Sequence, residues 1–138
     1  MYLLDTNVIS EVRKAAKGKA NQGVTEWLAT VANEKIFTNA VVMMELERGI
    51  LSIARRDERQ GQLLRFWLEH EIRPSLSNRI LVVDAETARI CAKLHIPDHA
   101  PENDAWIAAS AIQHNLTLVT RNTADFARTG VKLFNPFR

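Results

Sequence analysis

Four carboxylates in this chain sit where folding could bring them together. Asp5 follows the apolar run Tyr2-Leu3-Leu4 and opens a turn at Asp5-Thr6-Asn7. Glu45 lies among Met43, Met44, Leu46 and Ile50, in a stretch from Val41 to Ile50 whose other charges are Glu47 and Arg48. Asp104 precedes Ala105-Trp106-Ile107-Ala108-Ala109, and Asp125 ends the segment Thr120-Arg121-Asn122-Thr123-Ala124-Asp125. Carboxylates held a few ångströms apart repel one another, so such a site either raises their pKa values or binds cations. Hard divalent ions such as Mg²⁺ or Mn²⁺ take oxygen ligands. An ion held by carboxylates lowers the pKa of bound water and stabilises the charge of an in-line phosphoryl displacement.

Each acid also has a plainer role open to it. Asp5 is a good helix N-cap. Glu45 could pair with Arg48 at i+3 or simply face water, and the same holds for Glu47. Asp104 suits the positive end of a helix dipole, and Ala108 at i+4 leaves room beside it. Asn122 and Asp125 could both be turn residues. Taken together the acids weigh more, because several follow separate strands or begin the helix beyond. No Ser/His/Asp or Cys/His set offers a protein nucleophile. His70, His95, His99 and His114 are scattered and read as surface or core residues. No G-x-x-x-x-G-K phosphate loop is present.

The elements that must position these acids alternate along the chain. Tyr2–Leu4 reads as a buried strand, and Val8–Lys14 as a helix with Val8, Ile9 and Val12 on one face. Lys17–Gly23 is a loop by composition. A helix is expected over Thr25–Asn33, a strand over Lys35–Thr38, and a helix capped by Asn39 over Val41–Ala54. A further helix, Asp57–Glu71, should bury Leu63, Leu64, Trp67 and Leu68 and end at Pro74. Ile80–Val83 is the strongest strand signal. Asp84 then caps a helix with Ala85, Ala88, Cys91 and Ala92 facing inward. A loop at Pro97–Pro101, a helix at Asn103–Asn115 and strands at Leu116–Val119 and Val131–Phe134 complete the chain. This order predicts an α/β fold with helices on both faces of a mainly parallel sheet, a three-layer α/β/α sandwich. Ligands gather at the carboxyl ends of such strands.

At 138 residues, with 46% hydrophobic and 25% charged content, the chain reads as a single globular domain covering 1–138. Those values exclude intrinsic disorder and a disulfide scaffold. Cys91 has no second cysteine to bridge, and no Cys/His cluster has zinc-ligand spacing. A formal charge of +2 neither demands nor forbids a nucleic-acid partner. Asp5 and Asn7 interrupt the place of a signal sequence, and the longest uncharged stretch, Ala105–Thr120, carries Gln113, His114 and Asn115. No membrane association and a reduced, cytoplasmic setting are expected.

The motifs in order resemble those of PIN-domain nucleases: Leu3-Leu4-Asp5-Thr6-Asn7, then Glu45-Leu46-Glu47-Arg48-Gly49, then Asn103-Asp104-Ala105-Trp106-Ile107-Ala108-Ala109, then Val119-Thr120-Arg121-Asn122-Thr123-Ala124-Asp125. Leu133-Phe134-Asn135-Pro136-Phe137 fits the family's ending. The likeness is greatest to VapC toxins of type II toxin–antitoxin pairs, including the FitB-like branch, and spans nearly the whole chain. It implies a Mg²⁺- or Mn²⁺-dependent endoribonuclease in which water attacks RNA in line, leaving a 5′-phosphate and a 3′-hydroxyl. Asp5 and Asp104 would be direct ligands, and Glu45 a ligand directly or through water. Thr6, Asn7 and Thr120 would orient them. Some members carry an Asp where this chain has Asn122, and others rely on the position of Asp125; both are carried as candidates here. The resemblance further implies a homodimer and a cognate antitoxin, with operator DNA met only through the antitoxin. The antitoxin would cover the groove near the first helices and send a basic side chain into the acid pocket, with the Asn39–Glu71 hairpin as the place of the cover, where Met43, Met44, Ile50 and Leu51 fit a cover or a core.

An acidic pocket repels RNA, so cations must hold the strand. Arg13, Lys14, Lys17 and Lys19 form one group around the first loop, and Arg48, Arg55, Arg56, Arg59 and Arg65 a second. Two rival readings stand beside this one. A haloacid-dehalogenase-like phosphatase needs a second Asp two residues after Asp5, where this chain has Asn7. A non-catalytic PIN-like module that binds only RNA or protein could have lost one acid, as at Asn122.

Overall fold

Tyr2–Leu4 (β1) forms the centre of a five-stranded sheet in the computed structural model, which describes residues 1–138. In chain order β1 leads into Thr6–Lys14 (α1) and Gln22–Thr30 (α2), then Ile36–Asn39 (β2) and Ala40–Ala54 (α3). Glu58–Trp67 (α4) and the short Arg73–Ser75 (α5) precede Ile80–Leu81 (β3). Ala85–Leu94 (α6) and Glu102–Gln113 (α7) precede Thr117–Val119 (β4), Thr123–Phe126 (α8) and Leu133–Phe134 (β5).

All strand pairs are parallel, in the order β3-β2-β1-β4-β5, with Leu3 opposite Phe37 on one side and Leu118 on the other. The first two crossovers step one way across the sheet and the next two step back. Right-handed crossovers then put helices on both faces, and the winding reverses between β1 and β4. Leu3 and Leu118 are fully buried, with Val8 and Ile9 of α1, Val42 of α3 and Ile107 of α7 in the same core. Each such side chain contributes roughly 1.5–3 kcal/mol by leaving water. Buried polar groups are satisfied. Thr38 Oγ1 donates to the Leu4 carbonyl at 3.0 Å, and Asn39 Nδ2 donates to Ser110 Oγ at 2.9 Å while its Oδ1 caps Val42. Asn39 thereby joins the start of α3 to α7, the helices that carry Glu45 and Asp104. No helix is long and apolar enough to cross a membrane.

Several local expectations need correction. Gln22 and Gly23 are helical, not loop, because Asn21 Oδ1 accepts from the Gly23 and Val24 amides and starts α2 early. α2 ends at Thr30, short of Asn33, since Val31 is already extended. The helical path does not stop at Pro74. A wide π turn at Leu68–Ile72 carries it on to Ser75, and the wider turn takes a residue that has no N–H to donate. Leu64 and Leu68 are buried, but Leu63 is 58% exposed. β3 is two residues long, with Val82 exposed beyond it, because it pairs with β2 alone and β2 ends at Asn39, opposite Leu81. On α6 the buried face is Thr87 and Cys91; Ala85, Ala88 and Ala92 are exposed. Asp84 does cap α6, in a reciprocal box with Thr87.

Candidate active site

The extended backbone of β1 ends at Asp5, whose amide donates to the Val119 carbonyl at 3.0 Å. That bond fixes Asp5 against the end of β4, at the reversal of the sheet's winding. Its side chain is almost fully buried. Oδ1 accepts from the Thr6 amide at 2.8 Å; Oδ2 accepts from Thr120 Oγ1 at 2.8 Å and from Asn7 Nδ2 at 3.3 Å. Asp5 is thus the N-cap of α1, and the same carboxylate is held against the end of β4 by Thr120 and Asn7.

Asn7 is held as firmly. Its Nδ2 also donates to Thr120 Oγ1, and its Oδ1 accepts from the Arg121 amide at 3.1 Å. Thr120 Oγ1 in turn accepts from the Asn122 amide at 3.1 Å. The turn after β1 and the turn after β4 therefore form one hydrogen-bonded unit around the Asp5 carboxylate.

Glu45 reaches this unit from α3. Thr6 Oγ1 donates to its Oε1 at 2.6 Å, and Asn103 Nδ2 to its Oε2 at 3.3 Å. It makes no pair with Arg48, which is exposed and free of ion pairs. Glu47 is the residue that pairs. Burial pushes its carboxyl up, but Arg65 and Arg73 outweigh that and hold it below its ordinary value. That takes Arg65 out of the second basic group.

Asp104 stands half-buried in the first turn of α7, over the fully buried Ala108. Burial, joined by the charges of Asp5, Asp125 and Glu45, pushes its carboxyl up to about 6. Asp5 is also raised, by burial first; the Thr120 hydroxyl and the Thr6 amide pull it down, the Glu45 charge pushes it up and Asn7 pulls it down. Asp104 thus feels the charges of Asp5, Asp125 and Glu45, and Asp5 that of Glu45. Asp125 is exposed, and Asn122 is exposed with no bond to its side chain.

None of the four acids forms an ion pair with a Lys or Arg. Asp104 has no hydrogen-bond donor of its own. This open cup carries hard oxygen donors and no protein cation, the donor chemistry of a Mg²⁺ or Mn²⁺ site, although no three of its carboxylates lie within 4.8 Å of one another as they stand. Asn103 was not singled out from the sequence. Its position directly before Asp104, in the same helical turn, is the signal that could have found it.

The first basic group shares one cleft. Arg13, Lys14, Lys17 and Lys19 line a cleft of about 470 Å³ whose far wall is Leu63, Leu64 and Trp67. Lys14 is paired with Glu11 at 3.2 Å.

Comparison with known proteins adds to this geometry. The PIN domain family model matches residues 2–132. Toxin FitB of Neisseria gonorrhoeae is 35% identical, over 99% of this chain and 99% of its own length. VapC ribonuclease Y4jK of Sinorhizobium fredii is 31% identical, over 99% of this chain and 98% of its own length. The crystal structure of FitAcB from Neisseria gonorrhoeae superposes with a TM-score of 0.87 at 34% identity, covering 99% of this chain and 98% of that one. A structure of FitAB bound to an IR36 DNA fragment gives 0.87 at 31% identity, covering 100% and 96%.

Proposed function

This chain belongs to the PIN-domain family, and from that premise we propose that it is a divalent-metal-dependent endoribonuclease acting as the toxin of a toxin–antitoxin pair. The observation that carries the reading is that Asp5, Glu45, Asp104 and Asp125 have no cationic partner, with Asp104 raised by burial first and then by the charges of the other three.

Asp5 and Asp104 would hold a Mg²⁺ or Mn²⁺ ion, with Glu45 as a third ligand directly or through water. When bound, the ion supplies a water of lowered pKa and neutralises charge on the phosphate. The protein's own groups fix the ligands. Thr120, Asn7 and the Thr6 amide lock the rotamer of Asp5, and Thr6 and Asn103 do so for Glu45. Such outer partners commonly set metal affinity by 10–100-fold. Asp125 and Asn122 offer further oxygens at the open edge. Water attack in line on a backbone phosphate leaves a 5′-phosphate and a 3′-hydroxyl.

Arg13 and Arg48 are cations free to meet the RNA backbone, with Lys14 shared with Glu11. The cleft between α1 and α4 has an apolar wall and a basic rim, which suits an amphipathic antitoxin segment with an acidic edge. The FitAB–DNA likeness supports an antitoxin that carries the operator contact, and a homodimer is the expected toxin unit.

The test is cleavage of RNA in Mn²⁺ by wild type, Asp5→Asn and Asp104→Asn. Each variant should lose at least ~10²-fold activity with its fold intact, given the several kcal/mol of a metal's Lewis-acid role. Unchanged cleavage in both, or full activity in EDTA, would discard the reading. Mn²⁺ uptake by calorimetry separates it from a module that only binds, which need not take up the ion.

A further inference from the structure

Beside the acid cup lies a second cavity, of about 480 Å³, between the end of α6 and the turn after α8. Asp125 borders both: it lines this cavity, and its charge acts on Asp104. Lys93, Pro97, His99, Pro101 and Arg128 supply much of the remaining wall. The volume falls within the range of small-ligand sites.

Two features give the cavity a chemical character. The first is an aromatic face. The His99 ring stacks on His95 with centroids 4.3 Å apart, and its side chain is 76% exposed. His95 is anchored from behind, because its Nδ1 accepts from the Ala100 amide at 3.0 Å. The second is charge. Arg128 is committed to Asp98 at 2.6 Å, whereas Lys93 makes no ion pair.

His95, His99 and Glu102 also come close enough together to suggest a cation site. The Ala100 bond argues against it. With Nδ1 accepting, the neutral His95 ring carries its hydrogen on Nε2, the atom 3.7 Å from Glu102 Oε2. Bearing that hydrogen, the nitrogen has no lone pair for a metal.

We propose that this cavity holds the nucleotide flanking the scissile phosphate, with its base stacked on His99 and its phosphate met by Lys93. The proposal rests on the ribonuclease reading for the word scissile, but the nucleotide pocket itself does not. Single-stranded RNA is commonly held by bases splayed onto aromatic side chains, histidine included, with a nearby cation on the backbone. Asp125, on the wall of this cavity, is also one of the charges that act on Asp104.

The test is an amide-shift NMR titration of the full chain in EDTA with adenosine 5′-monophosphate, and with ribose 5-phosphate as the probe lacking a base. In wild type the nucleotide should shift His99, Ala100 and Thr129 and bind at least ~5-fold tighter than the sugar phosphate, the lower end of one base stack. His99→Ala should erase that difference, His99→Phe should restore it, and Lys93→Ala should weaken both probes. Equal binding of the two probes to wild type, shifts confined to other regions, or failure of His99→Phe to restore would overturn the pocket. Where wild type cuts a 12-nucleotide RNA, His99→Ala should raise KM about 5-fold or more and leave kcat within about twofold. A wild type that cuts no RNA would sink the ribonuclease reading alone, with the titration still deciding the pocket.

Discussion

Thr6 Oγ1 lies 2.6 Å from Glu45 Oε1, a contact that ties the first turn of α1 to the middle of α3 across 39 residues. Asn103 takes the other oxygen, so both lone-pair faces of Glu45 are set by the protein before any ion arrives. Thr6→Val keeps the shape and removes the donor. Its Mn²⁺ affinity should fall about 10-fold or more by calorimetry, and Thr6→Ser should recover it. An unchanged affinity would show that Glu45 needs no orientation from Thr6.

Asp104 makes the metal-free site sensitive to pH. Burial and the charges of Asp5, Asp125 and Glu45 raise its carboxyl from the ordinary 3.8 to about 6. Between those values the folded protein holds a proton that the unfolded chain has released. Stability from this group is therefore fully present below pH 3.8, is lost as pH rises to about 6, and is flat above. Asp104 is half-exposed, so solvent screening leaves about 1 kcal/mol or less of that effect. In EDTA at pH 7.5, Asp104→Asn should raise the thermal midpoint by about 2–4 °C. The gain should vanish near pH 4. Mn²⁺ must displace the proton, so its affinity for wild type should decline below about pH 6. A lower midpoint for Asp104→Asn at pH 7.5 would contradict the charge crowding.

The sequence was informative where one local rule had no competitor. The run ending at Asp5 and the cap at Asn39 are such places, since an apolar strand followed by a short polar residue has few other structures open to it. It misled where partner geometry decides. Ile80–Val83 has the composition of a core strand, but at the sheet edge Val82 and Val83 have no neighbour to pair with. The alanines of α6 look inward by type, and Thr87 takes the buried place because its hydroxyl bonds Asp84 and Gln113. Within the site, residue types pointed to the four acids but not to Asn103. A neutral amide carries no charge signal, and its bond to Glu45 spans 58 residues.

The hairpin that delivers Glu45 depends on one close approach. A Cβ added at Gly61 of α4 would lie 2.5 Å from Ala54 Cβ and 2.7 Å from Ala54 Cα at the end of α3. Those atoms are backbone or backbone-attached and cannot swing away. Gly61→Ala would normally favour a helix, but here the helices must separate, at about 1–3 kcal/mol. The variant should melt several degrees below wild type in a thermal scan. Ala54→Gly on top of it should return most of the loss, whereas a Gly61→Ala midpoint at or above that of wild type would mean that the contact is slack.

Asp125 and Asn122 compete for the fourth place at the cup's edge, and electrostatics separates them. Asp125 is one of the charges that raise Asp104, whereas Asn122 carries no charge and its side chain no bond. Asp125→Asn should therefore move the Asp104 carboxyl back toward its ordinary value, read by carboxyl-carbon NMR in EDTA. Asn122→Ala should leave that titration where it is. Asp125 is exposed and lies at the rim, so its loss should lower Mn²⁺-dependent cleavage by about 10-fold, less than the loss of Asp104. An Asp104 titration that ignores Asp125→Asn, or full cleavage by that variant, would place the residue outside the catalytic set and leave Asp5, Glu45 and Asp104 as its three acids.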